Sequence, residues 1–260
     1  MREARILGIP LSRATHAEVL RDVGERIRAR LPGGYISITN TESMYHALRR
    51  PDLFRYIENA QHSLCDGVGV VLAGWFWGYR IKRYTGPIFQ LDCTAAGAGH
   101  GWRHFYYGGR DGVAEEMAQR LAARYPGSRC VGMYAPPFRE LSPEEDQQIV
   151  DMINAAEPDI VWVGLGLPKQ EKWIAEHVGR INAPWLVGVG AAFDYHSGAV
   201  PWAPPFIRAI GLEWLFRLLR EPRLRARRYG RALLFVLEAA AKGMLRFVPA
   251  RGARRHREAA

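Results

Sequence analysis

From residue 103 onward, short runs of β-branched and aromatic residues alternate with longer stretches whose apolar side chains recur every three or four positions. The first kind suits strands buried on both faces of a sheet, and the second suits amphipathic helices. The pattern predicts strands at His104–Tyr107, Arg129–Met133, Asp159–Val163 and Trp185–Val189. Helices are predicted over Val113–Tyr125, from Ser142 to about Ala156, and over Lys169–Val178. Upstream, Tyr35–Thr39 and Ser63–Cys65 read as brief strands, and Ile6–Leu11 as an edge strand or hairpin. Helices fit His16–Leu31, a segment opening at Asn40-Thr41, Val70–Phe76, and one starting at Pro87. Thr15 with Glu18, and Ser142 with Glu145, have capping-box spacing. Strands alternating with helices of this length imply an α/β fold, a Rossmann-like and mostly parallel sheet with helices on both faces.

The pattern changes after Pro201, Pro204 and Pro205. A helical region begins at Gly211, and Pro222 interrupts or restarts it. From Arg231 to Arg246 the polar residues are Arg231, Glu238, Lys242 and Arg246. At about 100° per residue they fall within roughly 80° of one another, leaving a broad apolar face. Such a helix packs on its own domain, on a second subunit, or on a lipid surface. Charge follows the same division. The chain of 260 residues has a net charge of +10, yet residues 201–260 alone hold 14 Arg or Lys against 4 Glu. The rest is neutral, so the basic surface belongs to the last quarter, where it suits an anionic partner. The expected division is an α/β domain over 1–200, a helical basic appendage over 201–248 that associates with membrane, and a disordered basic tail over 249–260. Three scattered cysteines argue for a reducing compartment and against a disulfide framework or thiol metal site. Neither a secretory signal nor an apolar run long enough to span a bilayer is expected.

Three polar groups sit at predicted strand ends, where open α/β sheets bind ligands. Thr39 and Asn40, with Glu42, follow the first strand of the sheet; Asp66 follows the second, ahead of Gly67-Val-Gly69. Gln170 and Glu171 open a helix after Gly164-Leu-Gly166, and Asp194 follows the last strand. Asp66 is placed either as a general base or as a helix N-cap. Arg83 is a fixed cation for a phosphate, and the glycine turns at Gly67, Gly109 and Gly166 leave backbone N–H groups for one. No dinucleotide fingerprint, Walker A sequence, Gly-x-Ser-x-Gly elbow, Asp-x-Asp pair or histidine cluster is present.

Five segments together resemble the WecG/TagA/CpsF glycosyltransferases. They are Cys65-Asp-Gly-Val-Gly69, Arg83-Tyr-Thr-Gly86, Gly164-Leu-Gly-Leu-Pro-Lys-Gln-Glu-Lys-Trp173, Gly188-Val-Gly-Ala-Ala-Phe-Asp194 and Leu212-Glu-Trp-Leu-Phe-Arg-Leu-Leu-Arg-Glu-Pro222. The resemblance runs from about Ile6 to Tyr229 and implies transfer from a UDP-sugar donor to a polyprenyl-diphosphate-linked acceptor, at the anionic inner face of the cytoplasmic membrane. It implies inversion, no metal, no cofactor and no nucleic-acid partner; a homo-oligomer stays open. By position it makes Asp66 the base and has Asn40, beside Thr39, place the reacting sugars. Arg83, Gly166 and Gln170 would hold the donor, with Glu171 and Asp194 nearby. Arginines of the appendage would reach over the site, the candidates being Arg217, Arg220, Arg223 and Arg228. Ile38 stands where the family often has Thr, and Trp202 where it often has Arg, which leaves glucosyl or glucuronosyl donors open beside an N-acetylmannosamine type. A non-catalytic assembly factor and a nucleic-acid-binding protein are the alternative readings.

Overall fold

The computed structural model describes residues 3–246. The chain opens with a hairpin of β1 (Glu3–Ile6) and β2 (Ile9–Ser12), which pair antiparallel as a separate small sheet. α1 (His16–Arg28) follows, held at its start by the Thr15–Glu18 capping box. Next come β3 (Gly34–Thr39), α2 (Thr41–Ala47), α3 (Pro51–Glu58), β4 (His62–Cys65), α4 (Val68–Phe76) and α5 (Gly86–His100). The regular half contains β5 (Arg103–Gly108), α6 (Val113–Arg124), β6 (Arg129–Tyr134), α7 (Pro143–Ala155), β7 (Ile160–Gly164), α8 (Lys169–His177), β8 (Trp185–Gly188) and α9 (Ala192–Ser197). The chain ends with α10 (Pro205–Ala209), α11 (Glu213–Arg220) and α12 (Pro222–Leu245).

β3 to β8 form one six-stranded sheet in the order β4-β3-β8-β7-β5-β6, every pair parallel. Side chains alternate across it as the pleat requires. On β7, Val161 and Val163 enter the core cluster that also holds Met44, Val70 and Ile174. Ile160 and Trp162 enter the opposite cluster, with Val19, Phe89 and Met117. Both faces are covered, which explains why β7 and β8 read as unbroken apolar runs. α5 and α3 are among the helices that escape the periodicity argument. α5 buries Phe89, Gln90, Leu91, Cys93, Thr94 and Gly97 around most of its circumference, so no polar stripe marks it. α3 is too short for its three buried residues, Leu53, Tyr56 and Ile57, to show a period.

Pro222 restarts the chain and does not kink it. Glu221 leaves helical geometry (φ −133°, ψ 58°) and Pro222 opens α12, where its missing N–H costs nothing. The apolar side of α12 divides into two stripes. Phe235 and Ala239 are fully buried, in the same cluster as Met44 and Val70 of α2 and α4. Trp77 Nε1 donates to the Ala239 carbonyl (2.9 Å). A Cβ on Gly69 would lie 2.6 Å from Thr41 Cγ2 and 3.4 Å from Val236 Cγ2, so glycine is what lets α2, α4 and α12 meet. The second stripe, Leu233, Leu234, Leu237, Met244 and Leu245, is exposed. No helix among the described residues is long and apolar enough to cross a membrane. The tail expected to be disordered lies outside the described residues.

Candidate active site

The carboxyl ends of four adjacent strands, β4, β3, β8 and β7, open into a cavity of about 600 Å³. Its floor comes from Asn40 after β3, Asp66 and Gly67 after β4, Gly166 and Gln170 after β7, and Gly188 to Ala191 after β8. Its far wall comes from α11 and α12, through Glu213, Trp214, Arg217, Arg228 and Tyr229. Arg83 and Tyr195 also line it. α4 is capped at Gly67 (φ 109°) without a side-chain hydrogen bond, so Asp66 is not spent on a helix cap. Asn40 is: its Oδ1 accepts from the N–H groups of Glu42 and Ser43 (2.9 Å each), while the residue lines the cavity. Gln170 is admitted by Gly188, where a Cβ would sit 2.9 Å from the Gln170 amide nitrogen.

The electrostatics converge on Asp66. Burial pushes its carboxyl up to about 6, Glu213 pushes the same way, and Arg228, Arg217 and Arg83 pull it down. A carboxylate that titrates near 6 is ionised at neutral pH yet more basic than an ordinary aspartate, the balance a general base needs. Glu171, behind Gln170, is buried and pushed up to about 7 by desolvation, with Gln170 Nε2 donating to its Oε1 (3.2 Å). Gln170 Oε1 and Tyr195 OH are buried and lack a hydrogen-bond partner among the described residues. Each such group costs about 1–3 kcal/mol unmet. Among the described residues, no group of three or more His, Cys, Asp or Glu is placed to hold a metal ion.

The Glycosyl transferase WecG/TagA/CpsF family matches residues 4–247. The chain belongs to this family. A Bacillus spizizenii N-acetylglucosaminyldiphosphoundecaprenol N-acetyl-beta-D-mannosaminyltransferase is 30% identical over 191 residues, 73% of this chain and 72% of that protein. Proteins of the same name from Bacillus subtilis (28%, covering 73% of each chain) and Staphylococcus aureus (26%, covering 83% of this chain and 84% of the relative) are also similar. The chain is therefore a glycosyltransferase.

The family motifs do not all reach the cavity. Asp66, Asn40, Arg83, Gly166, Gln170, Arg217 and Arg228 line it. Thr39 is buried below, its hydroxyl bonded to Ser37 (2.9 Å) and Ser63 (2.8 Å). Asp194 turns away to within 3.8 Å of Arg110, and Glu171 stands behind Gln170. Arg220 lies over the Phe216 ring (5.3 Å), and neither it nor the exposed Arg223 lines the cavity. Arg83 is tethered to the Arg208 carbonyl, which ties α10 to the site. Trp202 supports the wall from behind, stacked on Tyr195 (ring centroids 5.7 Å apart) and covered by the Arg208 guanidinium (3.7 Å).

Glu213 and Tyr195 line the cavity without any sequence expectation of a role. Glu213 stood in the open, inside Leu-Glu-Trp, but only the fold shows that α11 brings it opposite Asp66. Its charge gives a prediction with a sign. Glu213 raises the Asp66 pKa, so Glu213→Gln should lower it. The acidic limb of the kcat/KM profile, expected near pH 6, should move to lower pH by about half a unit or more. A limb that stays in place would show that the two carboxylates do not interact.

Proposed function

We propose that this chain transfers a sugar from a UDP-sugar to a polyprenyl-diphosphate-linked saccharide, with inversion and without a metal, at the inner face of the cytoplasmic membrane of a bacterium. The observation that carries the reading is the joint presence of Asp66, Arg83, Arg217 and Arg228 around one cavity. Asp66 takes the proton of the acceptor hydroxyl as that oxygen attacks the anomeric carbon from the face opposite UDP. The bond from that carbon to the UDP oxygen breaks, and the guanidiniums take up the charge that gathers on the departing diphosphate. Asn40, Gln170 and Tyr195 add polar lining around the sugars. The relatives' name specifies a mannosaminyl donor and an undecaprenol-linked acceptor, which supports the same substrate classes here.

The surface around the opening favours a lipid substrate. Leu72, Trp214 and Leu233 line the cavity and are exposed, and Trp75, Leu219 and Leu237 on the same three helices are exposed too. Beside them lie the arginines of α12, a pairing suited to anionic headgroups above and a polyprenyl chain at the rim.

The test is UDP release from a panel of UDP-sugars, with a short polyprenyl-diphospho-N-acetylglucosamine acceptor and EDTA throughout. Acceptor-dependent release from one donor is expected, with a product of inverted anomeric configuration. Absence of release from every donor, on anionic liposomes and with folded protein, would favour a non-catalytic assembly role.

A further inference from the structure

Glu42 is a buried carboxylate that the transfer scheme leaves without a task. It sits at the second position of α2, 8% exposed, and lines the cavity beside Asn40. Its backbone is fixed by the Asn40 cap (2.9 Å). Its Oε2 meets Arg228 Nε at 2.5 Å, and its Oε1 lies 3.7 Å from Arg231 Nη1. Arg231 in turn donates to His46 Nε2, one turn along α2 (3.0 Å). Farther along both helices, Arg49 reaches Glu238 (3.4 Å), but that pair is more open to solvent. Burial decides which of these contacts matters. Exposed ion pairs are weak, whereas a shielded carboxylate in direct ionic contact holds its partner's position.

Arg228 is the partner with most to gain. An arginine side chain has about 2 kcal/mol of rotamer entropy to lose, so one projecting from a surface helix does not hold a fixed place beside Asp66 unaided. We propose that Glu42 is a positioning residue that holds the Arg228 guanidinium on the cavity wall, so that the Asn40-capped start of α2 decides where α12 delivers its charge. Nε is the Arg228 atom in contact with Glu42, and the residue lines the cavity where a diphosphate would lie. This inference rests on the reading that the cavity binds a UDP diphosphate.

The test is UDP affinity by calorimetry for four proteins: wild type, Glu42→Gln, Arg228→Ala and the double variant. Glu42→Gln should weaken UDP binding about tenfold, and the loss should vanish in the Arg228→Ala background, because Glu42 acts through Arg228. A purely structural role would weaken both backgrounds alike. Unchanged or tighter UDP binding in Glu42→Gln would overturn the proposal, since it would mean that Glu42 merely neutralises a free arginine. The Arg228 Nε–H resonance gives a readout that needs no ligand. It should be shifted and slow to exchange in the wild type and lose both features in Glu42→Gln; an identical signal in the two would also overturn the proposal. Should the wild type bind no UDP, the donor reading fails and this resonance still decides the anchoring. Glu42→Asp keeps the charge at shorter reach and should give an intermediate loss, which covers the case of a Glu42→Gln protein that does not fold.

Discussion

Asp66→Asn is expected to lower kcat by about 10³-fold, the range in which a positioned general base contributes, while the protein stays folded. Asparagine keeps the shape and loses the ability to take a proton. The stability sign separates this from simple damage. An unfolded aspartate titrates near 3.8, whereas burial and Glu213 raise the folded carboxyl to about 6. Between those values the folded state holds more protons than the unfolded state, so stability falls as pH rises through that window. Above pH 6 the full cost of the buried charge is present, and asparagine does not incur it. Asp66→Asn should therefore melt at the same temperature or higher at pH 7.5. The gain is about 1–2 kcal/mol at most, since water in the cavity screens the carboxyl. Loss of turnover together with an unmoved or raised melting temperature assigns the base. Turnover within tenfold of the wild type would pass that role to Glu213, which faces the same cavity.

How far the chain could be read in advance follows from what each residue depends on. β7 and β8 were legible because burial on both faces leaves an unbroken apolar run, and the glycine turns after them mark where the backbone must open above the strand ends. Its residue pattern alone left Asp66 open between base and helix cap, and only the family resemblance named it the base; the Gly67 cap of α4 removes the cap alternative. The wall residues Glu213 and Tyr195 could not be read. Their positions depend on how α9 and α11 fold back over the sheet, a long-range packing outcome that local pattern does not contain. The four appendage arginines looked equivalent for the same reason. Helical phase and the Pro222 restart separate Arg217 and Arg228, on the cavity wall, from Arg220 and Arg223 outside it. The apolar face of α12 was read as one broad surface. Its division into a docked stripe at Phe235 and Ala239 and an exposed stripe at Leu233 and Leu237 depends on the glycines of α4 and α12 that let the helices approach.

Arg217→Ala is the other large effect expected. Arg217 projects from α11 into the cavity, with its guanidinium 5.3 Å from the Tyr195 ring centroid, and it is one of three cations that lower the Asp66 pKa. In an inverting transfer, negative charge grows on the diphosphate as its bond to the sugar breaks, so a preorganised cation helps the transition state more than the bound substrate. Its removal should cut kcat/KM for the donor by about 10²–10³-fold, with most of the loss in kcat. The pH profile supplies a second, independent sign. Without Arg217, Asp66 loses a stabilising charge and its pKa rises, so the acidic limb should move to higher pH, opposite to the shift expected of Glu213→Gln. Arg217→Lys, which keeps the charge but not the fork, should recover part of the rate and most of the limb. A variant that lost rate without moving the limb would place Arg217 away from Asp66, leaving Arg83 and Arg228 as the cations that act on both the base and the departing diphosphate.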